Sequence, residues 1–474
     1  LHSEEELTGE GTTATGTGFS SEKLGYNALE VAEVQTSSSS GYREFTRSFM
    51  GRLSYILKDR YMLTGTIRRD GFSGFGPNKK WGNFPSVSLG WVASEESFLN
   101  DSKALNYLKL RASYGVNGNQ GIGRYNSQSN MTTTSTVFDG STAIGYYSGS
   151  LGNSDLGWEK TISTNGGIDF EILDGRLGGS IDAYWAKTTD VLVQRAIPRI
   201  SGNSSVWTNI GGMKNHGIEV SLNGATIKSK DFQWNTGVTF ALNRNEITKL
   251  YDDVTEDIGN GWFVGESFYA IYNYETDGIY QEDDLFNGNI VEGYYPGQFK
   301  IVDQNGDGQI TAADDRKIIG STDPNYRFSI NNEFTYKNIS LNIFLNSIQG
   351  GNNRYISSNN GAIIAGGTDY AYRLNRTSIR DYWRPDNPVN NAPAMFYSPK
   401  IGPGIYEDKS FVRLQDITLT YKFDDTIIEA LGVNTMRVYA SGKNLYTWTK
   451  WSGWDPDVGS PVIRSVVLGV NVNF

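Results

Sequence analysis

The segment Leu108-Lys109-Leu110-Arg111-Ala112-Ser113-Tyr114-Gly115-Val116 decides the fold. Leu108, Leu110, Ala112, Tyr114 and Val116 take one side of a period-two pattern, and Lys109, Arg111, Ser113 and Gly115 take the other. Successive side chains of a strand point to opposite faces. This strand is therefore apolar on one face and carries two cations beside small residues on the other. Such a second face fits a wet barrel lumen behind a lipid-facing exterior.

The pattern recurs along the chain. Phe232, Trp234, Thr236, Val238, Phe240 and Leu242 alternate with Gln233, Asn235, Gly237, Thr239 and Ala241. Ile339, Leu341, Ile343 and Leu345 oppose Ser340, Asn342 and Asn346, and Val466, Leu468, Val470, Val472 and Phe474 oppose Ser465, Gly469, Asn471 and Asn473. Strands are predicted over 43–57, 60–69, 83–93, 107–116, 159–171, 175–188, 216–228, 231–243, 326–337, 339–349, 409–423, 435–446 and 464–474.

The connections between them alternate in length. Short ones fall at 58–59, 173–174, 229–230 and 337–338, joined by parity with 94–106 and 424–434. Long ones span 70–82, 117–158, 189–215, 244–325, 350–408 and 447–463, the largest being 244–325 and 350–408. Short turns on one side and long loops on the other mark an outer-membrane barrel whose long loops are extracellular. The predicted fold is an all-β transmembrane antiparallel barrel. About 13 strands is an odd number, whereas single-chain bacterial barrels use even ones. Residues 1–42, rich in Gly, Ser, Thr and Glu, read as an extracellular loop remnant, and 43–474 as the C-terminal part of a larger barrel.

Composition agrees. The 474 residues include 28 Tyr, 22 Phe, 11 Trp and 55 Gly, yet the formal charge is −10, and the mean hydropathy is −0.43. Half-apolar strands with a polar lumen and wet loops account for that combination. The absence of Cys excludes disulfides, thiolate zinc sites and cysteine nucleophiles. His2 and His216 leave little for imidazole chemistry, and an acidic pI near 5.0 argues against nucleic acid as a partner. No apolar run reaches the ~18 residues of a spanning helix. The opening Leu1-His2-Ser3-Glu4-Glu5-Glu6 lacks a signal-peptide core, so either the protein is cytosolic or this start is not the biological N-terminus, and the strand pattern favours the second.

Asp303-Gln304-Asn305-Gly306-Asp307-Gly308-Gln309-Ile310-Thr311-Ala312-Ala313-Asp314 has calcium-loop spacing. Asp303, Asn305, Asp307, the Gln309 backbone, Thr311 and Asp314 are the candidate ligands of a structural Ca²⁺ or Mg²⁺. Asp314 stands where a bidentate Glu is usual, and a polar Asx/Gly turn is the competing reading. Trp448, Trp451, Trp454, Trp383, Tyr382 and Tyr446 lie in or beside the long loops. They fit either ligand stacking or an interfacial aromatic girdle, and no ligand-binding residue is assigned. Catalysis is not expected. Glu282-Asp283-Asp284 is an acidic loop run, Gly-x-Ser-x-Gly does not occur in a strand-to-helix setting, and Gly121-Ile122-Gly123 lacks a βαβ context.

Several segments resemble one family, the SusC/RagA-type TonB-dependent outer-membrane transporters of Bacteroidetes. They are Tyr61–Gly71, Trp81–Ser88 with Trp91, Glu96–Leu99, Leu108–Gly115, Gly118–Gln120, Gly157–Thr161, Asn215–Val220 and the Asp303–Asp314 loop. Phe411–Asp416, Lys443–Thr449, Trp454-Asp455-Pro456 and the terminal Phe474 complete the set. The resemblance implies a barrel of about 22 strands with an N-terminal plug, a SusD-like surface lipoprotein as lid, and energy from TonB, ExbB and ExbD. It implies import of an oligomeric nutrient, glycan or peptide. The plug, the TonB box and about nine strands are then expected outside this chain. Phe474 resembles the terminal signal read by the barrel assembly machinery. Lipid and lipopolysaccharide are the expected surroundings. A passive porin closing with 14 strands, and a non-transporting SusC-like scaffold bound to other envelope machinery, are the alternatives.

Overall fold

Tight hairpins organise the chain. In the computed structural model, all residues are described except 22, 24, 100, 101, 252, 253, 355–381, 395–400, 402, 405 and 452. Lys58 and Asp59 have φ of 54° and 56°, and Leu173 and Asp174 have 58° and 56°. Left-handed pairs of this kind match the twist of flanking strands in two-residue hairpins.

Fourteen strands form one antiparallel sheet in sequence order. They are β1 (His2–Thr17), β2 (Val34–Leu57), β3 (Tyr61–Phe72), β4 (Trp81–Val92), β5 (Leu105–Asn119), β6 (Glu159–Ile172) and β7 (Leu177–Thr189). Then come β8 (Gly212–Lys228), β9 (Phe232–Lys249), β10 (Pro324–Tyr336), β11 (Ile339–Gly350), β12 (Phe411–Lys422), β13 (Thr435–Thr449) and β14 (Ser465–Asn473). Among the described residues no helix is long and apolar enough to cross a membrane, and crossing by strands is a separate matter.

Two expectations need correction. Residues 1–42 are not loop throughout: His2–Thr17 is a strand, paired in unbroken register with Val34–Phe49. The count is therefore 14 rather than 13. The sequence HSEEELTGEGTTATGT is exposed almost throughout and polar on both faces, so it carries no alternation to read. The connection expected at 70–82 shrinks to 73–80, because β3 runs to Phe72 and β4 starts at Trp81. Other loops hold hairpins of their own, at Asn130–Phe138 with Ser141–Ser150 and at Leu192–Ala196 with Ser205–Asn209.

The alternation read in Leu108–Val116 sets the faces. Arg111 pairs across to Gly90 and Gly167, and Asp182 pairs with Gly167, so Arg111 and Asp182 share a face. A cavity of about 560 Å³ on this face is lined from six consecutive strands, including Asp182, Glu219, Thr239, Arg327, Asn346 and Gln415. One cavity can collect residues from six strands only if the sheet curls around that face, so the polar face is concave. The convex face exposes Leu53, Ile67, Leu89, Tyr114, Ile218 and Leu468. That much bare apolar surface belongs in lipid. The sheet does not close on itself: β1 and β14 are its edges, and no ladder joins them among the described residues.

Candidate functional site

The concave wall is polar and organised. Arg111 is gripped by two carboxylates from neighbouring strands. Its Nε and Nη2 donate to Asp169 at 2.8 and 2.9 Å, and Nη1 and Nη2 donate to Asp182 at 2.8 and 2.9 Å. Bidentate pairing of this kind fixes a guanidinium in direction as well as place. Further round, the Thr418 and Ser441 hydroxyls donate to Asp416 at 2.7 and 3.2 Å. A second cavity of about 820 Å³ runs from Asn235 and Glu333 to Asp416 on the same face. Such a wall offers charges and hydroxyls to a polar solute.

The long-loop rim has small cores of its own. Phe72, Phe75, Phe84, Leu156 and Trp158 pack together, and the Trp158 indole donates to the Lys80 carbonyl at 2.9 Å. This joins two family-like segments far apart in sequence, Trp81–Ser88 and Gly157–Thr161. Within the connection after β9, Tyr274, Tyr280, Tyr294 and Ile301 form another core. Burial pushes the Tyr294 phenol up to about 12.

Part of the 351–410 connection packs on that loop. Trp383 is buried with Ile279 and Phe299, and its indole donates to Gln281 at 2.9 Å. Gly297, at φ +86°, lies so close that a Cβ would stand 2.5 Å from Trp383. Trp383 is thus a packing residue. Tyr446 and Trp448 sit opposite Leu414 and Val412 on the convex face, in edge contact with ring centroids 4.9 Å apart. That is the position of girdle aromatics. Trp454 is exposed and Tyr382 half-buried. Arg384 stands 5.2 Å over the Tyr382 ring.

The Asp303–Asp314 loop is held by its own backbone. Both Asp303 oxygens accept, from the N–H of Gly306 and of Gly308 at 2.7 Å each. These bonds, that from Gly308 foremost, hold the Asp303 carboxyl below the usual carboxylate range. Asn305 accepts from Asp307 N–H at 3.1 Å, Asp307 accepts from Gln309 N–H at 2.8 Å, and Asp314 accepts from the Thr311 hydroxyl at 2.8 Å. Among the described residues no three acidic or imidazole side chains converge as a metal site.

The residue that closes the loop is one the spacing did not single out. Asp315 is fully buried and accepts from Gln304 N–H at 2.8 Å and Thr311 N–H at 2.6 Å. Its signal was only a second Asp beside Asp314. Phe474 is exposed just past β14. At the same, short-turn end, Glu96 accepts from the Tyr61 hydroxyl at 2.5 Å and the Trp91 indole at 3.2 Å. The Tyr61 bond leads in keeping the Glu96 carboxyl below its usual range.

Comparison with known proteins gives this architecture a family. The family described as "TonB dependent receptor-like, beta-barrel" matches residues 5–445. This chain belongs to that family. TonB-dependent receptor P3 of Formosa agariphila is 32% identical over all of the chain and 50% of its own length. TonB-dependent receptor SusC of Bacteroides thetaiotaomicron is 32% identical over 90% of the chain and 43% of its own length. The structure of the RagAB peptide transporter superposes with a TM-score of 0.79 at 27% identity, covering 100% of this chain and 53% of that one. The SusC/RagA-type resemblance is borne out, as is the barrel reading. The chain spans about half the length of the curated relatives it matches, and TonB-dependent receptor barrels are outer-membrane proteins.

Proposed function

We propose that this chain is the C-terminal barrel wall and outer rim of a transporter that imports an oligomeric nutrient, glycan or peptide, by TonB-dependent uptake. The carrying observation is the polar concave wall, with the Arg111–Asp169–Asp182 cluster set among the strands, beneath a rim of loops that have their own cores. In this reading the rim is extracellular and docks a SusD-like lipoprotein. TonB, ExbB and ExbD act through an N-terminal plug supplied with the remaining strands. The peptide cargo named for the RagAB neighbour and the glycan class remain the two candidates. Phe474 serves the barrel assembly machinery.

A deletion strain grown on single glycans and on peptides as sole nutrient tests this. Loss of growth on one class, restored by the full-length receptor, is the expected result. Unchanged growth on every nutrient sinks it. A passive porin of 14 strands predicts conductance from this polypeptide alone in planar bilayers. The open edges at β1 and β14 support silence there, since bare edges in hydrocarbon leave backbone groups unpaired.

The Asp303–Asp314 loop in this reading takes a structural Ca²⁺ or Mg²⁺. The spacing of Asp303, Asn305 and Asp307 supports it. It requires Asp314 to leave the Thr311 hydroxyl, to which it is bonded at 2.8 Å, and turn inward.

A further inference from the structure

We propose that the convex face between β6 and β9, just below the long-loop rim, holds a binding site for a phosphate-bearing membrane lipid. The register places Lys187 of β7 directly opposite Lys214 of β8. Like charges directly opposite in an antiparallel pair are destabilising. Only part of this repulsion is offset: Lys214 Nζ lies 2.8 Å from Glu246 Oε2 on β9, while Lys187 faces Ile162 on its other side. The Lys187 side chain makes no ion pair or hydrogen bond among the described residues. One row deeper, His216 stands between Trp185 and Arg244. The excess of cations is built into consecutive strands and awaits an anion.

A cleft of about 950 Å³ opens at this spot, lined by Lys187, Lys214, His216, Trp185 and Ile162, with Asp190 and Lys249 at its loop edge. The surface below it is apolar. Ile218 and Ile181 lie exposed on the same face, and six residues of strand separate Lys187 from Ile181, about 20 Å at the strand rise. Basic residues above and aliphatic and aromatic residues below match a lipid whose head carries phosphate and whose chains lie along the barrel. Interfacial Lys and Arg attract anionic headgroups in this manner, and long basic side chains reach such heads from within the membrane edge. The site requires the membrane barrel alone and is independent of what the protein transports.

Native mass spectrometry of the full-length receptor in detergent tests the proposal with three probes: dioleoyl phosphatidic acid, dioleoylglycerol and inorganic phosphate. Phosphatidic acid is expected to bind, and the other two to bind at least tenfold more weakly. K187Q/K214Q is expected to weaken phosphatidic acid about 25-fold, near fivefold per lysine. E246Q, which releases Lys214, is expected to tighten it. Heat-modifiable gel mobility verifies that each variant is folded. Equal binding of dioleoylglycerol reduces the site to an apolar surface, and equal binding of inorganic phosphate reduces it to an anion site without lipid. Wild-type affinity in K187Q/K214Q overturns the proposal, as does an E246Q variant with no gain.

Discussion

Arg413 and Asp455 form an ion pair shut away from solvent, with side chains only 5% and 7% exposed. Arg413 sits in β12, Asp455 in the connection after β13, and the Thr447 hydroxyl accepts a further bond from Arg413 Nε at 3.2 Å. Asp457 lies 3.9 Å away on the open side. Both partners fall in segments that carry the family resemblance, so their joint burial gives Trp454-Asp455-Pro456 a physical role in clamping the last loop onto the wall. Removing one partner leaves a buried charge without its counterion. R413M or D455N should therefore lower barrel stability by about 3–5 kcal/mol, and the double variant by less than the sum. Thermal unfolding followed by heat-modifiable gel mobility, arranged as a double-mutant cycle, reads this.

The two faces of a strand should respond oppositely to charge. Ile181 is on the convex face and Ser180 lines the concave cavity. I181R is expected to cost about 2–4 kcal/mol, the range for arginine on a lipid face near the membrane centre. S180R, entering the wet side, should cost little. Reversible unfolding in lipid vesicles would expose an error if the two costs were equal.

Gly297 is where one long loop touches another. Its φ of +86° is unfavourable for any L side chain, and a Cβ would also collide with Trp383. G297A should loosen the rim by at least about 1–3 kcal/mol. Trp383 fluorescence should shift toward that of exposed indole, and proteolysis of the rim should accelerate, while the barrel's own unfolding temperature holds.

Acid should weaken the Asp303 loop in a defined direction. The bonds from Gly308 and Gly306 depress the Asp303 carboxyl in the folded loop. The ionised form is then the one the fold favours, so the contribution is full above the ordinary carboxylate range and is lost as pH falls through the lower folded value. Hydrogen exchange at Gly306 and Gly308, corrected for the intrinsic pH dependence, should stay slow at neutral pH and quicken only in strong acid.

Asp315 and Asp314 should separate structure from cation binding. D315A leaves the Gln304 and Thr311 amides without their carboxylate acceptor in these part-buried bonds, at about 1–3 kcal/mol of loop stability. D314N should leave the loop folded yet abolish any protection against proteolysis gained on adding Ca²⁺. Identical calcium protection in D314N and the parent would remove Asp314 from the ligand set.

The main sheet was largely legible because its message is repeated every second residue. β5, β9, β11 and β14 each carry a regular run of apolar side chains on the convex face, with isolated exceptions such as Phe344 and Val467 on the other, and tight hairpins such as Lys58-Asp59 separate neighbouring strands elsewhere in the sheet. β1 escaped because strand formation there comes from pairing with β2, with no buried face to leave a mark on Ser3–Thr17. Trp383 and Trp448 look alike in sequence, both being aromatics near long loops. One is buried against Phe299 and the other stands on the convex face.

By itself, then, the sequence determined the alternation, and with it which side chains face lipid and which face water, because period two is a property of the extended backbone. It also determined the alternating turn and loop lengths, and so the barrel class. Tertiary structure alone decided the partnerships across distance: Arg413 with Asp455, Trp383 with Gln281, Lys187 opposite Lys214, and β1 with β2. Those depend on register, curvature and loop packing, which no local window contains. The same holds for the open edges at β1 and β14, since whether a sheet closes depends on all its strands together.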